Sequence, residues 1–325
     1  MHLAKLALDN GGVLKPLIIP SSLTSGTGLM NPSILIDDGK ILVNIRHVNY
    51  TFYHSEEKLY QHQWGPLTYI HPEHDMHLRT WNWYCELDSE FNITRYHKVD
   101  TSKFDTYEPL WDFVGLEDAR IFKWDGKLYL SGVRRDTTTN GQGRMELSEI
   151  VVGDDVKEVS RVRIQPPNDP NSYCEKNWMP IMDKPYHYVK WTSPTEVVKV
   201  NPETGESETV VKSNYIQFSR DLRGGSQVVK YGDYYIAVTH EVEFLESEVG
   251  RKDAKYLHRF IVWDKDFNIF AYSRDFSFMS AHVEFCVGLQ ILNDDFIFTF
   301  GYQDNGAYIL KCPSYVVVDF LNGKY

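Results

Sequence analysis

The chain has 325 residues, 42% hydrophobic and 24% charged, which allows one large domain or two ordinary ones and excludes a disordered or fibrous polymer. Its formal charge of −11 repels nucleic acid and anionic membranes, so neither is expected as a partner. No apolar run reaches the roughly 18 residues of a membrane span.

The opening MHLAKLALDNGG lacks a sustained apolar signal region, and the expected location is the cytoplasm. Cys85, Cys174, Cys286 and Cys312 are widely spaced and form no C-x-x-C, which points to buried thiols and not to a zinc ribbon or a disulfide framework. Aromatic residues reach 14%, a composition that suits strands and pockets that stack flat ligand faces.

Along the chain, alternation of period two dominates and helical periodicity is nearly absent. Five segments share one plan, a polar opening, an apolar pair or triplet, a tight turn and a β-forming run. They are NPSILIDDGKILVNIR from Asn31, EDARIFKWDGKLYLSGV from Glu117, EKNWMPIMDKPYHYVKW from Glu175, RGGSQVVKYGDYYIAVTH from Arg223 and EFCVGLQILNDDFIFTFGYQD from Glu284. Asp38-Gly39 and Asp125-Gly126 are hairpin dipeptides, while Gly232-Asp233 and Asn293-Asp294 tolerate positive φ.

Each unit continues into further strands, such as TWNWYCELD, RMELSEIVV and KYLHRFIVWDKDFNIFAYS, giving four strands per unit. The spacing of the five starts is that of propeller blades. The expectation is an all-β, single-domain five-bladed β-propeller of four-stranded antiparallel blades over residues 1–325; the competing reading is a pair of β-sandwiches. Residues 47–79 are inserted in the first unit, and their Tyr, Trp and His content reads as a lid over the axial face.

In a propeller the openings of the inner strands converge on one end of the channel. Here they supply Asn31, Glu117, Asp118, Arg120, Glu175, Lys176, Asn177, Arg223 and Glu284, and strand ends add Arg46, His240 and Asp304. A mixed ring of carboxylates and cations around a cleft shifts pKa values, moves protons and binds anions. The bland alternative is a set of ion pairs that stitch the blades together.

Gly115-Leu116-Glu117-Asp118-Ala119-Arg120 resembles the G-x-[EY]-D-P-R signature of glycoside hydrolase family 130, the five-bladed β-mannoside phosphorylases and related hydrolases. Asn31-Pro32-Ser33 and Arg46, Lys176-Asn177 with Pro180, Arg223-Gly224-Gly225-Ser226 with Tyr235–His240, Glu284–Gly288 and Phe300–Asp304 resemble the family's other elements in order. Ala119 stands where proline is usual, and Glu241 where glycine follows the histidine. More distantly, the family resembles propeller mannosyltransferases that use a sugar phosphate.

The resemblance implies inverting cleavage or formation of a β-mannoside-like bond, with Asp118 as the acid and no cofactor beyond inorganic phosphate or a sugar phosphate as co-substrate. It implies Lys176, Arg223 and His240 as the phosphate holders. Asn31, Ser33, Arg46, Glu117, Arg120, Asn177, Trp178, Glu284 and Asp304 would face the sugar. The expected partner is a small-molecule carbohydrate.

An incoming anion needs charge-assisted donors opposite the acid, in agreement with the basic trio. The acid needs a raised pKa, which Glu117 and Glu175 or Glu284 would supply by like-charge repulsion. A simple hydrolase would instead use a second carboxylate, for which Glu175 or Glu284 is available. A nucleotide-sugar transferase and a non-catalytic sugar-binding propeller are the other readings.

His71, His74, Asp75 and His77 match no defined metal-ligand spacing, so no metal is expected. Asp264-Lys265-Asp266 spells D-x-D but sits in an outer turn. Arg134-Arg135-Asp136 ends a strand of the second unit and reads either as cleft residues or as a surface ion pair.

Overall fold

A computed structural model describes residues 1–53, 68–70, 75–213, 215–246 and 252–325. The five hairpins expected from the sequence are the inner halves of five antiparallel blades. Blade one runs Leu29–Asp37, Lys40–Val48, Leu78–Leu87 and Ile93–Lys98, and blade two Glu117–Trp124, Lys127–Arg134, Arg144–Val152 and Val156–Arg163. Blade three runs Met179–Pro180, His187–Trp191, Glu196–Val200 and Ser207–Lys212; blade four Val229–Tyr231, Tyr234–Glu246, Lys252–Trp263 and Ile269–Tyr272. Blade five is Glu284–Leu292, Asp295–Tyr302 and Gly306–Cys312, completed by Val13–Pro16 from the other end of the chain.

The turns behave as their chemistry dictates. Asp38-Gly39 and Asp125-Gly126 take positive φ at both residues, as two-residue hairpins that match strand twist require. Asn293-Asp294 does the same, joining Leu292 to Asp295.

The cores lie between blades. Leu35, Leu42, Tyr84, Ile121 and Leu130 fill the space between blades one and two. Phe122, Trp124, Trp178 and Tyr188 fill that between two and three, and Ile181, Val228, Ile261 and Trp263 that between three and four. Phenylalanines 260, 276, 278, 298, 300 and 320 join blades four and five, and Ile34, Val43, Ile297 and Ile309 return from five to one. This circular chain of cores separates the propeller from the β-sandwich pair.

Two features are absent from the sequence reading. Val13–Pro16 pairs antiparallel with the strand Gly306–Cys312, Val13 opposite Lys311 and Leu14 opposite Leu310, so the two ends of the chain close one blade. Terminal helices Leu3–Asp9 and Ser314–Leu321 also bury Leu3, Ala7, Val316, Val317 and Phe320 in the core beside blades four and five.

Of the insertion at 47–79, Thr51–Tyr53 pairs with Thr68–Ile70, while 54–67 and 71–74, including His71 and His74, lie outside the described residues. Cys85, Cys286 and Cys312 are buried and Cys174 is half-buried; none forms a disulfide. No helix among the described residues is long and apolar enough to cross a membrane.

Candidate active site

The inner strands of the first three blades open with the same backbone device. Asn31, Asp118 and Asn177 adopt positive φ of 46°, 49° and 61°, and the ladder slips beside Asn31 and beside Asp118. Asn and Asp tolerate this left-handed conformation better than other side-chain-bearing residues, and a bulge re-aims a side chain out of strict alternation.

Asp118 is thereby presented to its neighbours on blade one. Its Oδ1 accepts hydrogen bonds from Asn31 Nδ2 and Arg46 Nη1, both at 2.8 Å. Arg46 is itself placed by Nε donation to Thr80 Oγ1 at 3.2 Å and Nη2 donation to Tyr50 Oη at 3.3 Å, and lies 3.7 Å from Glu117 Oε2. Glu117 Oε1 is buried without a hydrogen bond, with Arg135 Nε 3.9 Å away. Arg135 therefore reaches this carboxylate group, while its neighbours Arg134 and Asp136 are buried in a separate network with Glu146 and Asp105.

The electrostatics correct one expectation. Burial works to raise the Asp118 carboxyl, but Arg46, the Asn31 hydrogen bond and Arg120 outweigh it and hold the group below the usual carboxylate range. The carboxyl that is raised is Asp304, pushed to about 6 by burial and by Asp118 and Glu117, against the pull of Arg46. Asp304 is half-buried and takes no hydrogen bond from the described residues. In the free site the proton held nearest neutrality belongs to Asp304.

Arg120 is 1% exposed and reaches across the channel. Its Nε and Nη2 donate to the carbonyl oxygen of Gly225 at 3.0 and 2.6 Å, Nη1 donates to the carbonyl of Asp118 at 2.7 Å, and Nη2 lies 3.5 Å from Asn177 Oδ1. Burial lowers its pKa to about 10, with Asp118 opposing. It binds the backbone of Asp118, not its carboxylate, and ties blade two to blades three and four.

On blade four, Arg223 and His240 exchange backbone hydrogen bonds of 2.8 and 2.9 Å. The His240 ring sits between Phe285, 4.6 Å away, and Tyr256, 5.4 Å away. Its pKa lies well below the ordinary value through burial, the adjacent His258 imidazole and the cations Arg223 and Lys176. Burial, reinforced by Asp304 and Asp118 and opposed by Arg223, raises the Tyr256 phenol, so this residue feels both the carboxylates and the cations. Tyr256 and His258 were missed in the sequence; their signal is register, since His240 pairs with His258 and Val242 with Tyr256 across the hairpin.

Several sequence candidates are consumed elsewhere. Trp178, 1% exposed, packs on Tyr188 between blades two and three and offers no face to a sugar. Ser33 Oγ donates to the carbonyl of Ala119 and accepts from the amide of Ile121, stitching blade one to blade two. Glu284 is fully buried and accepts from the backbone amides of Phe278, Met279 and Ala281 at 2.6 to 3.0 Å, fixing a loop.

Glu175 accepts from Ser172 and from the Trp178 indole. Both proposed second carboxylates are therefore engaged in structural bonds. Asp264 binds the amides of Asp266 and Asn268 in an exposed turn, and Asp75 is held by Arg79 and the His77 amide. Among the described residues no group of three or more His, Cys, Asp or Glu is placed to hold a metal.

No protein-family model and no curated protein sequence matches the chain. Solved structures do. The β-1,2-mannobiose phosphorylase of Listeria innocua superposes with a TM-score of 0.54 at 10% identity, covering 91% of this chain and 92% of that one. MPT-4, a mannose phosphorylase of Leishmania mexicana in complex with phosphate ion, gives 0.54 at 10% identity, with 97% and 93% covered.

A structure described with the GH130 family of mannoside phosphorylases, which contains hydrolases that target β-1,2 mannosidic linkages in Candida mannan, gives 0.59 at 13% identity, with 88% and 84% covered. The chain shares the five-bladed propeller fold of these structures. At 10 to 13% identity the likeness is one of fold, and within that fold the described residues place Glu117, Asp118 and Asp304 around Arg46, with Lys176, Arg223 and His240 grouped on the blade-three and blade-four openings.

Proposed function

We propose that the protein is a carbohydrate-active enzyme that cleaves or forms a β-mannoside-like bond by inverting phosphorolysis or by transfer from a sugar phosphate. The observation that carries this reading is the division of the axial site into a carboxylate group around Arg46 and a basic group, Lys176, Arg223 and His240, that lacks a carboxylate partner among the described residues. The phosphorylase names of two structural neighbours, and the phosphate ion bound in one of them, support it. Glu175 and Glu284, the second carboxylates read from the sequence for a hydrolase, are engaged in structural bonds and lend that reading no support.

In the proposed reaction, phosphate held by the basic group attacks the anomeric carbon as the glycosidic bond breaks. The departing oxygen takes a proton from Asp118, directly or through a sugar hydroxyl. Asp118 is ionised in the free site, so it must acquire that proton as substrate arrives, and Asp304 is the neighbouring group that holds one. Arg46 and Asn31 then serve as positioning residues for the carboxylate.

The test is incubation with mannose 1-phosphate plus a sugar acceptor and, separately, with nucleotide sugars. Release of phosphate from the first is expected; release of nucleotide from the second would replace this reading with a nucleotide-sugar transferase. Asp118→Asn should lower turnover on the order of 10²-fold or more with sugar binding near normal, whereas a folded Asp118→Asn protein with full activity removes Asp118 from the acid's role.

A further inference from the structure

The hydrogen bonding of His240 fixes what it can offer a ligand. Its Nδ1 lies 2.9 Å from the carbonyl oxygen of Gly224, and a carbonyl only accepts, so Nδ1 carries the hydrogen. The ring is 2% exposed and neutral, because burial, the adjacent His258 and the charges of Arg223 and Lys176 disfavour a second proton. In that tautomer Nε2 bears a lone pair and no hydrogen. Among the described residues Nε2 has no hydrogen-bond partner, and it is not among the buried atoms left without one, so it keeps solvent access.

The orientation is over-determined. Phe285 and Tyr256 flank the ring, and a side chain on Gly224 would run into the carbonyl of Asn177, which keeps the accepting carbonyl in place. The basic group therefore comprises two cations that only donate, Lys176 and Arg223, and one imidazole that only accepts. An anion whose oxygens are all acceptors sets a lone pair against Nε2. An anion that keeps one hydroxyl donates that hydrogen to Nε2 while its remaining oxygens take the cations.

We propose that His240 makes this site selective for a protonated tetrahedral oxyanion, so that inorganic phosphate is accepted and sulfate refused. The inference rests on the reading of Lys176, Arg223 and His240 as the anion site and adds the protonation state of the anion as the property recognised. Phosphate keeps at least one proton at neutral pH and sulfate keeps none. A phosphate that attacks through an unprotonated oxygen can stay bonded to Nε2 through its hydroxyl, so the same contact that selects the anion also orients it.

Calorimetric titration of the full chain with inorganic phosphate and with sulfate, at neutral pH and equal ionic strength, tests this. Phosphate should bind tighter by about tenfold or more, the worth of a hydrogen bond to a charged group replaced by a lone-pair clash. His240→Gln can turn an amide N–H toward the ligand, and the preference should shrink to about threefold or less, chiefly through gained sulfate affinity.

Wild-type affinities for the two anions within about threefold of each other overturn the selectivity while leaving the anion site standing. Binding of neither anion overturns the anion site and the selectivity with it. If the glutamine variant fails to fold, the wild-type ratio alone decides.

Discussion

Asp118 and Asp304 face one guanidinium and are driven in opposite directions by what each lacks. At Asp118 the Arg46 charge, the hydrogen bonds from Asn31 and Arg46 and the Arg120 charge outweigh burial; at Asp304 burial and two like charges outweigh Arg46, with no hydrogen bond from the described residues to help it. Environments that separate two carboxyls in this way divide acid from base. The raised Asp304 pKa is also a statement about stability. Because its folded value of about 6 exceeds the ordinary carboxylate value near 4, the native state binds this proton more tightly than the unfolded chain does. The Asp304 contribution is therefore most favourable below about pH 4 and is lost as the pH rises through about 6. Asp304→Asn should be more stable than wild type at about pH 8, by on the order of 1–2 kcal/mol after allowance for its partial exposure, and close to wild type at about pH 4. Melting curves at the two pH values check this; an unchanged difference between variant and wild type at both would mean that Asp304 carries no linked proton.

At the scale of the element, the site is made by the opening turn of each inner strand. Blades one to three use Asn or Asp in the left-handed region there, whereas blade four uses Gly224-Gly225, where the carbonyls of Asn177 and Val238 pass too close for any side chain. A Cβ on Gly225 would collide with the carbonyl of Val238, and the Gly225 carbonyl is the acceptor for two Arg120 bonds. Gly225→Ala should cost about 1–3 kcal/mol and displace Arg120 from Asp118, so the melting temperature and turnover should fall together; a variant that loses neither would show that blade four has room to yield. This geometry also explains what the sequence revealed of the site. The openings were readable because tight turns and apolar runs repeat, and Asn31, Asp118, Arg120 and Asn177 from three of them meet in direct contacts. Roles were not readable, because successive residues of a strand point to opposite faces and a bulge changes the count locally. Ser33, two residues after Asn31, stitches blades while Asn31 holds Asp118, and Trp178, next to Asn177, is core. Glu284 looked like a cleft carboxylate and is a loop anchor, because three amides that contact it lie on a segment without repeat character.

At the scale of the molecule, a propeller must join its last blade to its first, and here a four-residue strand does it. Val13-Leu14-Lys15-Pro16 was illegible as a strand because it is short, ends in proline and finds its partner almost a full chain length away, at Tyr308–Lys311. The preceding helix adds Leu3 and Ala7 to the core shared by blades four and five and hydrogen-bonds through Leu3 and Ala4 amides to the carbonyls of Ser277 and Phe278. Removing residues 1–16 would leave Gly306–Cys312 as an open edge and uncover phenylalanine-rich core. At about 2–3 kcal/mol for each large apolar side chain lost, the cost is on the order of 5 kcal/mol, a sizeable share of the 5–15 kcal/mol that holds a typical protein folded. The truncated chain should melt lower by about 10 °C or more and associate through the uncovered edge, whereas Leu3→Ala, which leaves the closing strand in place, should melt lower while staying at the wild-type oligomeric state. Calorimetry with light scattering on the three proteins separates loss of closure from loss of packing, and a truncated chain with wild-type melting temperature and size would show that the propeller closes without its first strand.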